Sequence, residues 1–177
     1  MTAPPADAAV WPDLMSFLEE RGIPHEVVDG SVVVNPPPST RHERVVAAVL
    51  AQLWQAAPAG IDVFGSNLGF WYDDTSYLTA DVTVVRGEDL QERGTSAPPL
   101  LVVEVLSPST RRRDVLGKWN VYAEAGVPSY WLVDPVEPSL SVLTLTDGLY
   151  VETARVTGDE PLTVQQPFGA TLRLQRP

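Results

Sequence analysis

The sequence predicts a single domain of mixed α/β class, in which strands and helices share one hydrophobic core. The chain has 177 residues, of which 44% are hydrophobic, a size that suits one sizeable core and is too small for two. Helical periodicity dominates the first third of the chain, and strand-like runs dominate after residue 60. We therefore expect residues 1–10 to form a flexible N-terminus and residues 11–177 to form the domain.

The N-terminal part predicts a short helix and a β-hairpin. Apolar residues recur at helical spacing within Trp11–Glu20, and Gly22 ends this pattern. Two β-rich runs then flank Asp29-Gly30, a dipeptide that favours a tight hairpin turn. These runs, Ile23–Val28 and Ser31–Asn35, are expected to pair as antiparallel strands.

A second, longer helix is predicted after three consecutive prolines. Ser39 or Thr40 can cap its N-terminus, because the hydroxyl of either residue can accept a hydrogen bond from the first turn. Apolar residues recur on one helical face from Val45 to Trp54. We expect this helix to end at about Ala57.

Beyond residue 60 the pattern becomes that of strands separated by Gly, Asp, Asn and Pro. The run Leu100–Leu106 is almost wholly apolar, which predicts a central strand. Hydroxyl residues after this run can cap a helix at about Arg111–Ala125, which Gly126 ends. The predicted strands are Ile61–Phe64, Leu68–Tyr72, Leu78–Val85, Leu100–Leu106, Tyr130–Val133, Leu140–Leu145, Leu149–Val156 and Ala170–Leu174.

The composition limits the environments and the metals that suit this chain. No run approaches the roughly 18 apolar residues that a membrane span requires, and Met1–Val10 lacks the features of a signal peptide, so we expect a cytoplasmic protein. The chain has no cysteine, which excludes disulfides and cysteine-ligated zinc. A bound metal would rest on oxygen or imidazole ligands, which favours Mg²⁺ or Mn²⁺.

The charge is acidic overall and basic in two short stretches. A formal net charge of −11 argues against a protein that coats nucleic acid nonspecifically, because such binding needs many Lys and Arg contacts to phosphates. Lys118 is the only lysine of the chain. The first basic stretch contains Arg41 and Arg44, and the second contains Arg111, Arg112, Arg113 and Lys118. The charge therefore still allows a local nucleic-acid site.

Two of the predicted strands each carry one acidic residue. Asp81 opens the run Asp81–Val85, and Glu104 interrupts an otherwise apolar strand. A buried carboxylate is costly unless a cation or hydrogen bonds compensate its charge. If the strands are neighbours, both acids can bind one divalent ion, completed by a backbone carbonyl such as that of Val105 and by waters. The alternative is that Asp81 marks a strand end and Glu104 pairs with an arginine.

The helix after the central strand carries further candidates. Asp114, Lys118 and Tyr122 are four residues apart and share one helical face. A lysine directed at a metal site would orient the attacking water and stabilise a phosphoryl transition state, with Asp114 orienting the lysine. The alternative is a solvated Asp–Lys salt bridge. Arg111–Arg113 oppose the helix dipole unless anions such as phosphates lie nearby, and the alternative is a solvated basic turn.

Five stretches of the sequence resemble one known family. They are Glu26–Gly30, Ser39–His42, Asp81–Val85, Glu104–Tyr122 and Ala125–Pro135, and they are similar to the Uma family of putative restriction endonucleases. These proteins are bacterial members of the PD-(D/E)XK nuclease superfamily. The resemblance covers nearly the whole chain, and its most specific part is the block from residue 104 to residue 135.

The resemblance implies a restriction-endonuclease-like fold, with a central mixed β-sheet flanked by helices. It also implies that Asp81 and Glu104 are the two metal-binding acids, with Mg²⁺ or Mn²⁺ as the cofactor. The superfamily motif places a lysine two residues after the glutamate, where this chain has Leu106. The family supplies the lysine from the following helix instead, where Lys118 stands.

Three further residues are secondary candidates: Glu26, His42 and Asp114. The first two align with polar positions near the site of the family. For His42 the alternative is a helix-start residue that forms only local hydrogen bonds. For Glu26 the alternative is an acid on the exposed face of a hairpin strand.

The expected function is a Mg²⁺-dependent endonuclease that hydrolyses phosphodiester bonds of DNA, with Arg111–Arg113 binding the substrate. Symmetric cleavage of duplex DNA would need two centres, which favours a homodimer. The alternative is a catalytically silent protein that keeps the nuclease fold and serves as a binding or regulatory module, which the acidic charge suits. A glycosidase also uses two carboxylates, but this short chain shows no exposed aromatic run for sugar binding.

Overall fold

The computed structural model describes residues 14, 17–18, 20–28, 30–34, 37–66, 68–73, 76–92, 94–107 and 117–174. Residues 14, 17, 18 and 20 are helical, as predicted for the N-terminal helix. The helices α1 (Thr40–Ala56) and α2 (Trp119–Glu124) follow, with a 3₁₀ turn at Gly87–Asp89. The strands are β1 (His25–Val28), β2 (Ser31–Val34), β3 (Ile61–Gly65), β4 (Gly69–Asp73), β5 (Ser76–Thr79), β6 (Val82–Arg86), β7 (Leu90–Gln91), β8 (Gly94–Thr95), β9 (Leu101–Val105), β10 (Ser129–Asp134), β11 (Ser139–Thr146), β12 (Leu149–Thr157), β13 (Pro161–Val164) and β14 (Ala170–Arg173).

The strands form two six-stranded sheets and one hairpin. The first sheet, called the central sheet below, has the order β12-β11-β10-β9-β6-β3. Its β9–β10 pair is parallel, and its other pairs are antiparallel. The second sheet, called the N-terminal sheet, has the order β2-β1-β5-β4-β8-β7, and β13 pairs with β14. Mixed sheets with flanking helices confirm the predicted α/β class.

The central sheet is covered on both faces, and β9 lies in its interior with all five residues buried. On one face, Val45, Val49 and Leu53 of α1 pack in the same apolar cluster as Leu101 and Val103 of β9. The other face packs against α2 and the N-terminal sheet, in a cluster that contains Val102 of β9, Val121 and Tyr122 of α2, Leu78 of β5 and Phe70 of β4. Because side chains alternate along a strand, Glu104 projects to the same face as Val102.

Helix α1 begins where the sequence predicts it. The hydroxyl of Ser39 accepts a hydrogen bond from the backbone N–H of His42 at 3.2 Å, which satisfies one of the free donors of the first turn. The helix predicted after β9 is described from residue 117 onward. It has a π-helical turn at residues 117–118 and continues as α2. Within the described ranges, neither helix is long and apolar enough to cross a membrane.

One predicted strand is wrong. The run Leu78–Val85 is two strands, β5 and β6, which belong to different sheets. The chain leaves one sheet and enters the other at Ala80 and Asp81, and the carboxylate of Asp81 accepts a hydrogen bond from the backbone of β9 there. The sequence does not reveal this break because only Ala80 and Asp81 separate the two strands, so that their residues form one continuous strand-like run. It also gave no signal for β7, β8 and β13, which are short or contain proline.

A close backbone approach at Gly94 supplies a test of this packing. Gly94 has a φ of +94°, and a β-carbon at this position would overlap the carbonyl of Gly69. Gly148 has a φ of +79°, but a β-carbon there would meet nothing within 4 Å. Gly148→Ala should lower the free energy of unfolding by about 1 kcal/mol through backbone strain alone, and Gly94→Ala by about 3 kcal/mol. Urea unfolding followed by circular dichroism measures both values, and equal losses would contradict the predicted overlap.

Candidate functional site

The register of the central sheet brings the two predicted acids together. Strands β6 and β9 are antiparallel, with Val82 opposite Val103. Asp81 directly precedes β6, and Glu104 directly follows Val103 in β9, so the two acids lie at the same end of this strand pair. The carboxylate of Asp81 accepts a hydrogen bond from the backbone N–H of Val105, the residue after Glu104. Two acids therefore lie near each other at this end of the sheet, where like charges favour a nearby positive charge.

Lys118 supplies positive charge to Glu104. Its Nζ lies 2.9 Å from Oε1 of Glu104, and both side chains are almost completely buried. The hydroxyl of Tyr122 donates to the same oxygen at 3.4 Å. Lys118 and Tyr122 are one helical turn apart, so the start of α2 directs both donors at one carboxylate.

The same ammonium group also binds Glu26. Lys118 Nζ lies 2.7 Å from Glu26 Oε1 and donates to the backbone carbonyl of Thr79 at 2.8 Å. Glu26 has an exposed fraction of 0%, and its Oε1 also accepts the backbone N–H and the hydroxyl of Thr79. An ammonium group has three donors, and Glu26, Thr79 and Glu104 accept one each. Two buried carboxylates therefore share one buried cation.

Asp81 lies at the more accessible side of this cluster. Its side chain is 19% exposed, and its Oδ2 accepts the backbone N–H of Val105 at 2.7 Å. The ring Nε2 of His42 lies 3.2 Å from the same oxygen. Among the described residues, none donates a hydrogen bond to Oδ1 of Asp81. One oxygen of Asp81 is thus held by the protein, and the other is available to a ligand.

His42 extends from the first turn of α1 towards Asp81. An ionised carboxylate only accepts hydrogen bonds, so Nε2 must carry the proton of this contact. Nδ1 lies 3.5 Å from Glu43 Oε1, close enough for electrostatic attraction but without a hydrogen bond. Burial lowers the pKa of His42, but the hydrogen bond and charge of Asp81, together with the charge of Glu43, outweigh burial and raise the pKa above 6.5.

The oxygen donors of this site suit Mg²⁺ or Mn²⁺ better than a zinc ion enclosed by four protein ligands. Within the described ranges, no three side chains of His, Cys, Asp or Glu form a metal-binding group. A cation at this site would therefore take only part of its coordination from side chains and complete it with backbone oxygen, water or substrate. Mg²⁺ commonly binds in this way, through one or two carboxylates and several waters.

Five of the residues singled out in the sequence come together at this site: Glu26, His42, Asp81, Glu104 and Lys118. Of these, Glu26 is buried against Lys118, and Lys118 is not part of a solvated salt bridge. Arg111, Arg112, Arg113 and Asp114 lie outside the described residues. Thr79 could not be found from the sequence, because it contacts Glu26 and Lys118 mostly through its backbone N–H and carbonyl.

Comparisons with known proteins identify the family and the fold of this chain. The sequence profile of the Uma2 family, described as "Putative restriction endonuclease", matches residues 11–175. A solved structure of a putative nuclease of the DUF820 family from Anabaena variabilis is similar to this chain, with a TM-score of 0.65 and 19% sequence identity. The similarity covers 82% of this chain and 83% of the other, and it shows a shared fold. Comparison with curated proteins gives no significant match.

The contact between His42 and Asp81 predicts a specific pH dependence in the metal-free protein. Because the folded-state pKa of His42 is raised, the contact stabilises the fold fully below pH 6.5 and loses this effect as the pH rises through the folded-state pKa. Asp81→Asn should lower the pKa of His42, since it removes the charge that offsets burial. NMR titration of the histidine rings in EDTA measures this pKa.

Glu43→Gln is the matched control for this titration. Glu43 is the other acid near the ring, but its side chain is 53% exposed and lies 3.5 Å from Nδ1. This substitution should lower the pKa of His42 less than Asp81→Asn does. An equal or larger effect of Glu43→Gln would contradict the assignment of Asp81 as the main partner.

Proposed function

Because the chain belongs to the Uma2 family of putative restriction endonucleases, we propose that it is a metal-dependent endonuclease that hydrolyses phosphodiester bonds of DNA. One observation carries the proposal. Asp81 accepts a hydrogen bond from the backbone next to Glu104, and the buried ammonium group of Lys118 contacts Glu104. Two acids that can hold a divalent cation, with a lysine beside them, suit metal-dependent hydrolysis of a phosphodiester.

Asp81 and Glu104 would hold Mg²⁺ or Mn²⁺, with the backbone carbonyl of Val105 as a further ligand. A bound divalent cation supplies Lewis-acid chemistry, since it lowers the pKa of water and neutralises charge that develops on a phosphate. Three acids surround the site, and Lys118 compensates one of them. The net negative charge that remains on the three acids favours a bound cation.

Lys118 would stabilise negative charge on the phosphate, and it would orient the attacking water with the donor that Glu104 releases when its carboxylate takes up the cation. Its ammonium group lies next to the metal-binding acid Glu104, where that charge develops. Glu26 and Thr79 fix this group through two further contacts, so the lysine needs little reorganisation during the reaction. Asp114, four residues before Lys118, would help to orient it.

DNA would bind through local basic residues rather than through the overall charge. Arg41 and Arg44 are exposed on the first two turns of α1, which also carry His42 at the site. Arg111–Arg113 precede Lys118 in the sequence and are the proposed phosphate-binding residues. A cytoplasmic homodimer would cut both strands of a duplex with two such centres.

Cleavage of supercoiled plasmid by the purified protein tests this function. The wild type should nick DNA in Mg²⁺ or Mn²⁺ and should be inactive in EDTA. Asp81→Ala, Glu104→Ala and Lys118→Ala should each reduce the rate by at least about 100-fold, because each removes a group that acts on the transition state. Glu152→Gln, which changes an exposed acid on β12, is the control and should cleave like the wild type.

The possible outcomes separate two functions. Loss of cleavage in the three site variants, with activity kept in the control, would support the endonuclease. Absence of cleavage by the wild type on duplex and single-stranded DNA in either metal would instead favour a silent module that keeps the fold. Thermal unfolding of every variant must accompany the assay, since Lys118→Ala leaves two buried carboxylates without their cation.

The single lysine allows a direct measurement of the centre without cleavage. Lysine labelled with ¹³C at Cε gives one side-chain signal, that of Lys118. Addition of Mg²⁺ to the wild type should shift this signal, because a cation on Glu104 changes the field at an ammonium group 2.9 Å from its oxygen. Asp81→Asn should abolish the shift at the same Mg²⁺ concentration, and Glu152→Gln should keep it. A shift of equal size in Asp81→Asn would contradict metal binding at this pair of acids.

A further inference from the structure

His42 is the buried side chain of an otherwise exposed helix start. Its neighbours Arg41, Glu43 and Arg44 are exposed, whereas His42 has an exposed fraction of 8%. The helix start does not need its ring, because the cap is formed between Ser39 and the backbone N–H of His42. The ring instead reaches across to the loop before β6, where Nε2 meets Asp81 Oδ2 at 3.2 Å. The side chain of His42 therefore hydrogen-bonds Asp81 and is not needed to cap α1.

The two donors on Asp81 fix the orientation of its carboxylate. The N–H of Val105 belongs to the central sheet and the ring of His42 to α1, so they approach the same oxygen from two separate elements. A carboxylate with one donor can still turn about its terminal bond, whereas two donors from rigid elements hold one rotamer. With Oδ2 held in this way, Oδ1 is the oxygen that remains for a ligand among the described contacts of Asp81.

We propose that His42 is a positioning residue that holds Asp81 in the orientation required for divalent-cation binding. This inference rests on the proposed function, because it takes Asp81 as a metal ligand. His42 does not contact the cation itself; it acts through the carboxylate. It also connects the first two turns of α1, with their exposed Arg41 and Arg44, to the metal-binding acid.

A purely structural role for His42 makes a different prediction. If the ring only attached α1 to the central sheet, its loss would reduce stability and leave the cation affinity of the folded protein unchanged. A positioning role makes the cation affinity depend on a hydrogen-bond donor at the place of Nε2. Groups that orient metal ligands typically contribute about 10- to 100-fold to metal affinity.

Titration calorimetry with Mn²⁺ on the full chain, without DNA, distinguishes these roles. His42→Leu removes the donor and should weaken Mn²⁺ binding about 10- to 100-fold. His42→Gln places an amide N–H near the position of Nε2 and should restore most of the affinity. His25→Leu is the matched control, because His25 is equally buried at 8% and its ring hydrogen-bonds the carbonyl of Ile23 rather than Asp81. Its Mn²⁺ affinity should equal that of the wild type.

Three results would overturn the proposal. Unchanged Mn²⁺ affinity in His42→Leu would reject the role of His42 while the metal-dependent endonuclease stands. Equal losses in His42→Leu and His25→Leu would assign the effect to general destabilisation. Absence of Mn²⁺ binding by the wild type would reject the proposed function and the role of His42 with it. If His42→Leu does not fold, His42→Asn is used instead. The shorter side chain of Asn cannot bring its amide to the position of Nε2, so the same comparisons apply.

Discussion

The ion cluster of Glu26, Lys118 and Glu104 is the interaction on which the site depends. All three side chains are at most 4% exposed, and they come from β1 of the N-terminal sheet, the start of α2 and β9 of the central sheet. Burial of charge is costly, and it is tolerated here because Thr79 and Tyr122 add hydrogen bonds to both carboxylates. The cluster therefore fixes the relative position of the elements that carry the candidate site.

The cluster also determines the electrostatic character of the site. One ammonium group is shared by two carboxylates, and Asp81 adds a third acid on the accessible side. His42 contacts Asp81 and, when protonated, offsets part of this negative charge. The excess of negative charge suits a divalent cation, which could in turn attract a phosphate to a protein whose net charge is −11. An acidic protein can bind a polyanion at such a centre if a cation lies between them.

The sequence predicts the residues of the site better than the path of the chain through it. Asp81, Glu104 and Lys118 were found because an acid in an apolar strand and a single lysine are conspicuous. The orientation of Glu26 could not be predicted, since a short strand with apolar residues on both faces does not show which face is inside. The break between β5 and β6 is not predicted because only Ala80 and Asp81 separate two strands that belong to different sheets.

The position of the lysine shows why fixed spacing is a poor guide to such a site. Leu106 stands two residues after Glu104, and its backbone N–H continues the pairing with β10 by donating to Val133. The ammonium group comes instead from Lys118, fourteen residues later in the chain, and reaches the carboxylate from α2. Electrostatic stabilisation depends on where the charge lies and not on which element carries it. A lysine on a helix can therefore serve the same acid as one on the strand, provided that neighbouring acceptors hold its ammonium group in place, as Glu26 and Thr79 do here.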